Sequence, residues 1–166
     1  YQPIGKSFFI HEIALEMIRV SDNTATNLLI KRLGGIKKIN LGFANMGLSS
    51  TKLNELLPDL KGTNKTSTRD LVRSIALADS NNMLSRNSRD LFREIMSTSK
   101  TNRLIPGGLL RGVNKNKIIL ENIDYKLLIK GYRVYNKTGD IGTTYADAGL
   151  INMPNNTRAI ASFIVK

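Results

Sequence analysis

The sequence predicts an α+β domain in which helices pack against an antiparallel sheet, and three features of its pattern carry that expectation. Through residue 100, outside the stretch 48–65, the apolar positions recur every three or four residues, the period of helices with one buried face. After residue 131 the period shortens, and three β-prone runs follow one another between turn residues. The helices come first and the strands last, an order that favours segregated layers over alternating βαβ units.

The first helix is expected over residues 8–20, from Ile10, Ile13, Ala14, Met17 and Ile18. It delivers the chain to Ser21, in a rigid turn between helices. A second helix runs from about Thr24 to Leu33, capped by Ser21 or Asp22, with Leu28, Leu29 and Leu33 inward and Gly34-Gly35 as its stop. A third carries Ile36, Ile39 and Phe43 and ends at Gly47. Residues 48–65 lack either period and are expected to form a long loop, a length at which loops are commonly functional.

Ser67-Thr68-Arg69-Asp70 has the form of a capping box with Asp in place of Glu. It opens a helix with Leu71, Val72, Ile75 and Ala76 inward. Ser85 caps another, with Leu91, Phe92, Ile95 and Met96 buried and residues 98–102 closing it. Leu104 to Leu110 reads as a short segment broken by Gly107 and Gly108, and residues 112–130 fit no element. The strands are expected at 132–136, 146–153 and 158–165, with turns at 139–143 and 154–156.

At 166 residues with 41% apolar content, the chain suits one domain with a sizeable core. It holds no cysteine, which excludes disulfides, thiol catalysis and cysteine-ligated zinc. With His11 as the sole histidine, expected on the surface of a helix, a Ser-His-Asp triad is not expected, and lysine must move protons in any serine hydrolase built here. No metal or cofactor site is expected. The formal net charge of +12 would suit a polyanion, but the lysines and arginines are scattered and lack interleaved aromatics, so no nucleic-acid partner is expected. No apolar run reaches the length of a transmembrane span.

Two polar triplets stand out. Ser21-Asp22-Asn23 lies between helices, and Lys137-Thr138-Gly139 ends a strand-like run more than a hundred residues later. Each alone could be a helix cap or a strand-end turn. As an ordered pair they are two parts of the signature of class A β-lactamases and penicillin-binding proteins, and the chain resembles that family. The segment from Met17 to Ile30, Gly34-Gly35, Leu53-Asn54, the helix start at Thr66-Ser67-Thr68 and the run from Lys137 to Asp140 all fall in the family's order.

The resemblance implies a β-lactamase/transpeptidase-like fold and acylation of a serine in an S-x-x-K motif. The catalytic residues it implies are Ser21, passing a proton to the leaving nitrogen, and Lys137, holding positive charge beside it. Asn23 would bind the substrate's side-chain amide, and Thr138 would join Lys137 on the substrate carboxylate. Gly139 would let the ligand approach the strand, the Asp140 backbone N–H would be one of two oxyanion donors, and Asn54 would belong to the active-site loop. Arg103 and Arg111 are weaker candidates for the carboxylate.

In two places the sequence departs from the family. The loop glutamate of E-x-x-L-N is replaced by Ser50, with Glu55 out of register. Two Ser-x-x-Lys strings, Ser49 to Lys52 and Ser97 to Lys100, follow Ser21, whereas the family's motif precedes it; both are read as chance. The nucleophile, and the N-terminal and C-terminal parts of the domain, are therefore expected outside residues 1–166. The opening Tyr1 fits a processed or excerpted piece. The implied partner is a β-lactam or peptidoglycan-like small substrate, and the implied location periplasmic or secreted. Two functions remain: a serine β-lactamase-like hydrolase slow to deacylate, or a non-catalytic or D,D-peptidase-like penicillin-recognising module that binds cell-wall polymer.

Overall fold

A computed structural model describes residues 5–100, 103–114 and 131–166. Within them six helices precede three strands: α1 (Ile10–Arg19), α2 (Asn23–Arg32), α3 (Gly35–Asn45), α4 (Thr68–Ala78), α5 (Arg86–Ser97), α6 (Ile105–Asn114), β1 (Arg133–Asp140), β2 (Tyr145–Asn152) and β3 (Arg158–Val165). The strands form an antiparallel meander in the order β1-β2-β3. The expected α+β class and single sheet are therefore observed.

Pleating sends alternate side chains of the sheet into two cores. On one face Tyr135, Ala148, Leu150 and Ile160 pack with Leu71, Ile75 and Phe92 of α4 and α5. On the other, Val134, Ile151, Ala161 and Phe163 pack with Ile105, Leu109 and Leu110 of α6. Leu150 is 1% exposed, and full burial of such a side chain contributes about 1.5–3 kcal/mol. Both faces of this short sheet are thus covered.

Several local readings need correction. Ile105 to Leu110 belongs to a regular helix, α6, entered from the turn at Leu104, which its glycines do not break because Ile105, Leu109 and Leu110 anchor it to the sheet. The first strand continues to Asp140, so Lys137-Thr138-Gly139 lies inside β1, and the turn begins after it. Leu28 and Leu33 are exposed; Ala25 and Ile30 are the residues α2 buries. Leu28 instead lines an open cleft of ≈ 370 Å³ with Ile30, Ile36 and Leu56. Ala76 and Leu91 also face outward, leaving Ile75 and Met96 as the buried residues of their helix faces. Of the unplaced segment 112–130, residues 112–114 complete α6, and residues 115–130, like 101–102, lie outside the described residues.

Other expectations hold in detail. Asp22 caps α2 by accepting from Ala25 N–H at 2.7 Å, and Ser85 accepts from Ser88 N–H at 3.2 Å. Ser67 caps α4 through Asp70 N–H. The reciprocal half of the expected capping box is absent, because the Asp70 carboxylate turns to the loop before the helix. There it accepts from Ser50 N–H at 2.8 Å and Thr51 Oγ1 at 2.7 Å.

Candidate active site

The Ser21 turn is positioned by the helices on either side. Its backbone takes a left-handed φ of 57°, one of two such non-glycine residues among those described. For a serine that conformation costs about 1–2 kcal/mol, so the surrounding structure must impose it. The Asp22 cap holds the following helix, and Lys100 N–H, just past α5, donates to Arg19 O at 3.1 Å. Since α5 also packs on β1, the turn is delivered to the strand that carries Lys137.

The two triplets meet there. Lys137 Nζ donates to Ser21 Oγ and to the carbonyl of Thr138, across 116 residues of sequence in the first case. Lys137 is half-buried and Ser21 is exposed, so the pair opens to solvent at one end. Burial pushes the Lys137 ammonium below the ordinary lysine value of 10.5, and the Asp147 carboxylate pulls it back up in part. A cation near a hydroxyl oxygen lowers the cost of negative charge on it, and suits an anionic group entering from the open side.

The other expected residues are placed around this pair. Asn23 is the first residue of α2, exposed, two positions from Ser21. Gly139 and Asp140 are exposed at the end of β1, an edge strand among the described residues, and Asp140 Oδ1 accepts from Gly142 N–H at 2.9 Å. Thr138 is 5% exposed and shares the α6 face with Asn136; its carbonyl receives Lys137. Asn54 is spent inside its own loop, where its amide donates to Thr63 O. Among the described residues no hydrogen bond joins Asn23 or Asn54 to the Ser21–Lys137 pair. Arg103 and Arg111 are exposed.

The loop before α4 is pinned by side chains. Asn27 exchanges two bonds with Leu57, accepting from its N–H at 2.9 Å and donating to its carbonyl at 2.6 Å. Asn40 does the same with Leu53 at 2.8 and 2.7 Å. With the Asp70 contacts, these hold the loop around Ser50, the position expected to match the family's glutamate, with no regular ladder among the described residues beyond the bridge of Lys52 with Lys65.

Sequence reasoning missed the polar group behind β1. Asn136 and Asp147 are 0% and 1% exposed, and Asn136 Nδ2 donates to both Asp147 oxygens at 3.1 Å. Asp147 Oδ2 also accepts from Ile105 N–H at the start of α6, at 2.9 Å. The signal was present as an aspartate in the otherwise apolar run Ala146 to Ile151. Among the described residues no cluster of His, Cys, Asp or Glu could hold a metal.

A Ser-Asp-Asn turn bonded to a Lys-Thr-Gly strand marks the class of penicillin-recognising serine enzymes. The chain belongs to the Beta-lactamase enzyme family, whose pattern matches residues 1–166. The structure of PBP-A is 40% identical and superposes with a TM-score of 0.83 over 100% of this chain and 56% of that one. A point mutant of PBP-A, captured as an acyl-enzyme complex with penicillin G, matches equally well. Among curated relatives, β-lactamase ROB-1 of Haemophilus influenzae is 37% identical over 67 residues, 40% of this chain and 22% of its own length. Beta-lactamase 3 of Bacillus cereus is 26% identical over 157 residues, 93% of this chain and 46% of its own length. The chain thus spans at most about half of these curated relatives.

Proposed function

We propose that the protein is a serine β-lactamase-like hydrolase that opens the amide of a β-lactam through an acyl-serine intermediate. Family membership and the Lys137–Ser21 hydrogen bond support this reading. In the reaction a serine Oγ adds to the lactam carbonyl, the C–N bond breaks, and the nitrogen leaves with a proton. Ser21 passes that proton on, with Lys137 beside it keeping the hydroxyl polarised. Lys137 holds the substrate carboxylate, Asn23 its side-chain amide, and the Asp140 N–H is one oxyanion donor; Thr138, its side chain buried on the α6 face of β1, serves by presenting its carbonyl to Lys137. Gly139 admits the ligand to the strand edge, and Asn54 keeps the loop in shape. The acylated serine belongs to sequence outside residues 1–166, because neither Ser-x-x-Lys string here precedes Ser21. We place the protein in the periplasm or outside the cell, where such substrates occur; the described residues hold no helix long and apolar enough to cross a membrane.

Water must then cleave the ester, and that step needs a base. The loop glutamate that serves the family is Ser50 here, which cannot take a proton at neutral pH. Slow deacylation follows. The same replacement favours a second reading, a D,D-peptidase-like or non-catalytic penicillin-recognising module acting on cell-wall polymer. Incubation of the intact protein with a fluorescent penicillin tests the common core of both enzymatic readings. A covalent label lost in Lys137→Ala is expected, and a protein that never labels would rule them out. Salt-sensitive binding to cell-wall polymer without labelling would select the non-catalytic module.

A further inference from the structure

Burying a carboxylate is costly unless its oxygens are satisfied, so a buried aspartate inside a small sheet calls for an explanation. Asp147 is 1% exposed, in the central strand, at the position paired with Thr138. The Asn136 amide reaches both its oxygens at 3.1 Å, and the first N–H of α6 reaches one at 2.9 Å. These donors suit an anion, and the positive end of the α6 dipole faces it. Gly149, opposite Asn136, makes room for this arrangement: a Cβ there would lie 2.8 Å from Asn136 Cβ and 2.8 Å from Tyr135 O.

The carboxylate is bonded to one chain neighbour of Lys137, Asn136, and its residue is paired in register with the other, Thr138. Asn136 and Thr138 flank Lys137, whose own side chain rises on the opposite face to meet Ser21. We propose that Asp147 is a positioning residue for Lys137, a fixed negative charge behind β1 that keeps the lysine cationic and seated against Ser21 and the Thr138 carbonyl. The inference rests on the reading of Lys137 as part of the acylation machinery, and goes beyond it by assigning the counter-charge.

Other charges on the elements around β1 are committed elsewhere. Asp22 caps α2, Asp140 bonds Gly142 N–H, and Arg19 pairs with Glu16. On α5, Arg93 pairs with Asp79 and Asp90, Arg86 with Asp90, and Arg89 donates to Leu84 O; Glu94 is exposed. On α6 Arg111 is exposed, and on β2 and β1 Tyr145 and Arg133 are exposed while Tyr135 packs in the core. Asp147 is the group whose charge opposes the desolvation of Lys137.

The test follows Lys137 itself in the intact protein, with 13C at lysine Cε and the resonance assigned by Lys137→Arg. Asp147→Asn keeps an acceptor for Ile105 N–H but removes the charge. The Lys137 titration should move to lower pH, and the alkaline limb of fluorescent-penicillin labelling should move with it. Labelling at pH values between the shifted and the wild-type titration should be lost, while labelling well below both is retained. Adding Asn136→Asp returns one carboxylate to the same buried pair and should restore both profiles. An unchanged titration in folded Asp147→Asn overturns the inference. If that variant does not fold, the double variant decides: a wild-type titration supports the assignment, and a lowered one overturns it. Failure of the wild type to label would instead overturn the enzymatic reading, leaving the titration to judge the counter-charge alone.

Discussion

Two buried carboxylates, Asp147 behind β1 and Asp70 at the start of α4, do different work with the same chemistry. Each is at most 2% exposed and each is satisfied by donors. Asp147 sits in the central strand of a sheet whose backbone ladders run on both sides of it, and its charge lies behind Lys137. Asp70 borders a loop with almost no ladder, where Ser50 N–H and the Thr51 hydroxyl depend on it for position. The comparison separates electrostatic from scaffolding roles: a carboxylate in regular structure can be replaced by its amide with little loss of fold, and one that organises a loop cannot be truncated.

The largest stability effect should come from the loop side. Asp70→Ala leaves two donors without their acceptor and should cost about 3 kcal/mol in urea unfolding, with faster proteolysis between residues 48 and 66; a loss as small as a surface substitution's would erase the distinction. On the sheet side, Gly149→Ala should cost about 1–3 kcal/mol by pushing Tyr135 and Asn136 away, and labelling by penicillin should fall with it. A smaller effect of opposite sign is expected at the turn. Ser21→Gly relieves the left-handed strain and should stabilise the fold by about 1 kcal/mol while abolishing labelling, read by thermal melts beside the labelling gel.

The smallest effect concerns Asp59. Backbone N–H groups of Asn64 and Thr63 hold its carboxyl below the ordinary 3.8. The unfolded loop therefore binds the proton more tightly, and the contribution is present above 3.8 and lost as pH falls through the lower folded value. Protection against hydrogen exchange at residues 62–64, corrected for the intrinsic exchange rate at each pH, should fall below that point and stay flat above it, with the change confined to the loop whose N–H groups the carboxyl holds.

Much of this was legible in the sequence, for physical reasons that can be named. Helix periodicity and the caps at Asp22, Ser67 and Ser85 are local, and each was read from a few residues. The Ser21–Lys137 partnership was legible because the two triplets form a known ordered pair. What escaped depends on tertiary partners. Asn27 and Asn40 look like solvent-facing helix residues until Leu57 and Leu53 arrive to use both ends of their amides. Asp70 reads as a capping residue until the loop competes for its carboxylate. Leu28 and Leu33 fit an inward stripe by spacing alone, but α2 turns Ala25 and Ile30 to its neighbours instead.

The proposed function requires an acyl-enzyme, and the serine at position 50 predicts that it is released slowly. General-base help is worth about 10² to 10⁴ in rate. Rapid-mixing hydrolysis of nitrocefin by the intact protein, with mass spectrometry of the quenched sample, measures both steps together. The expected outcome is a burst, a covalent adduct of the substrate's full mass, a weak steady state, and faster release in Ser50→Glu. Rapid steady-state turnover with no detectable adduct would contradict it and would mean that Glu55 or another base serves the ester in place of the missing glutamate.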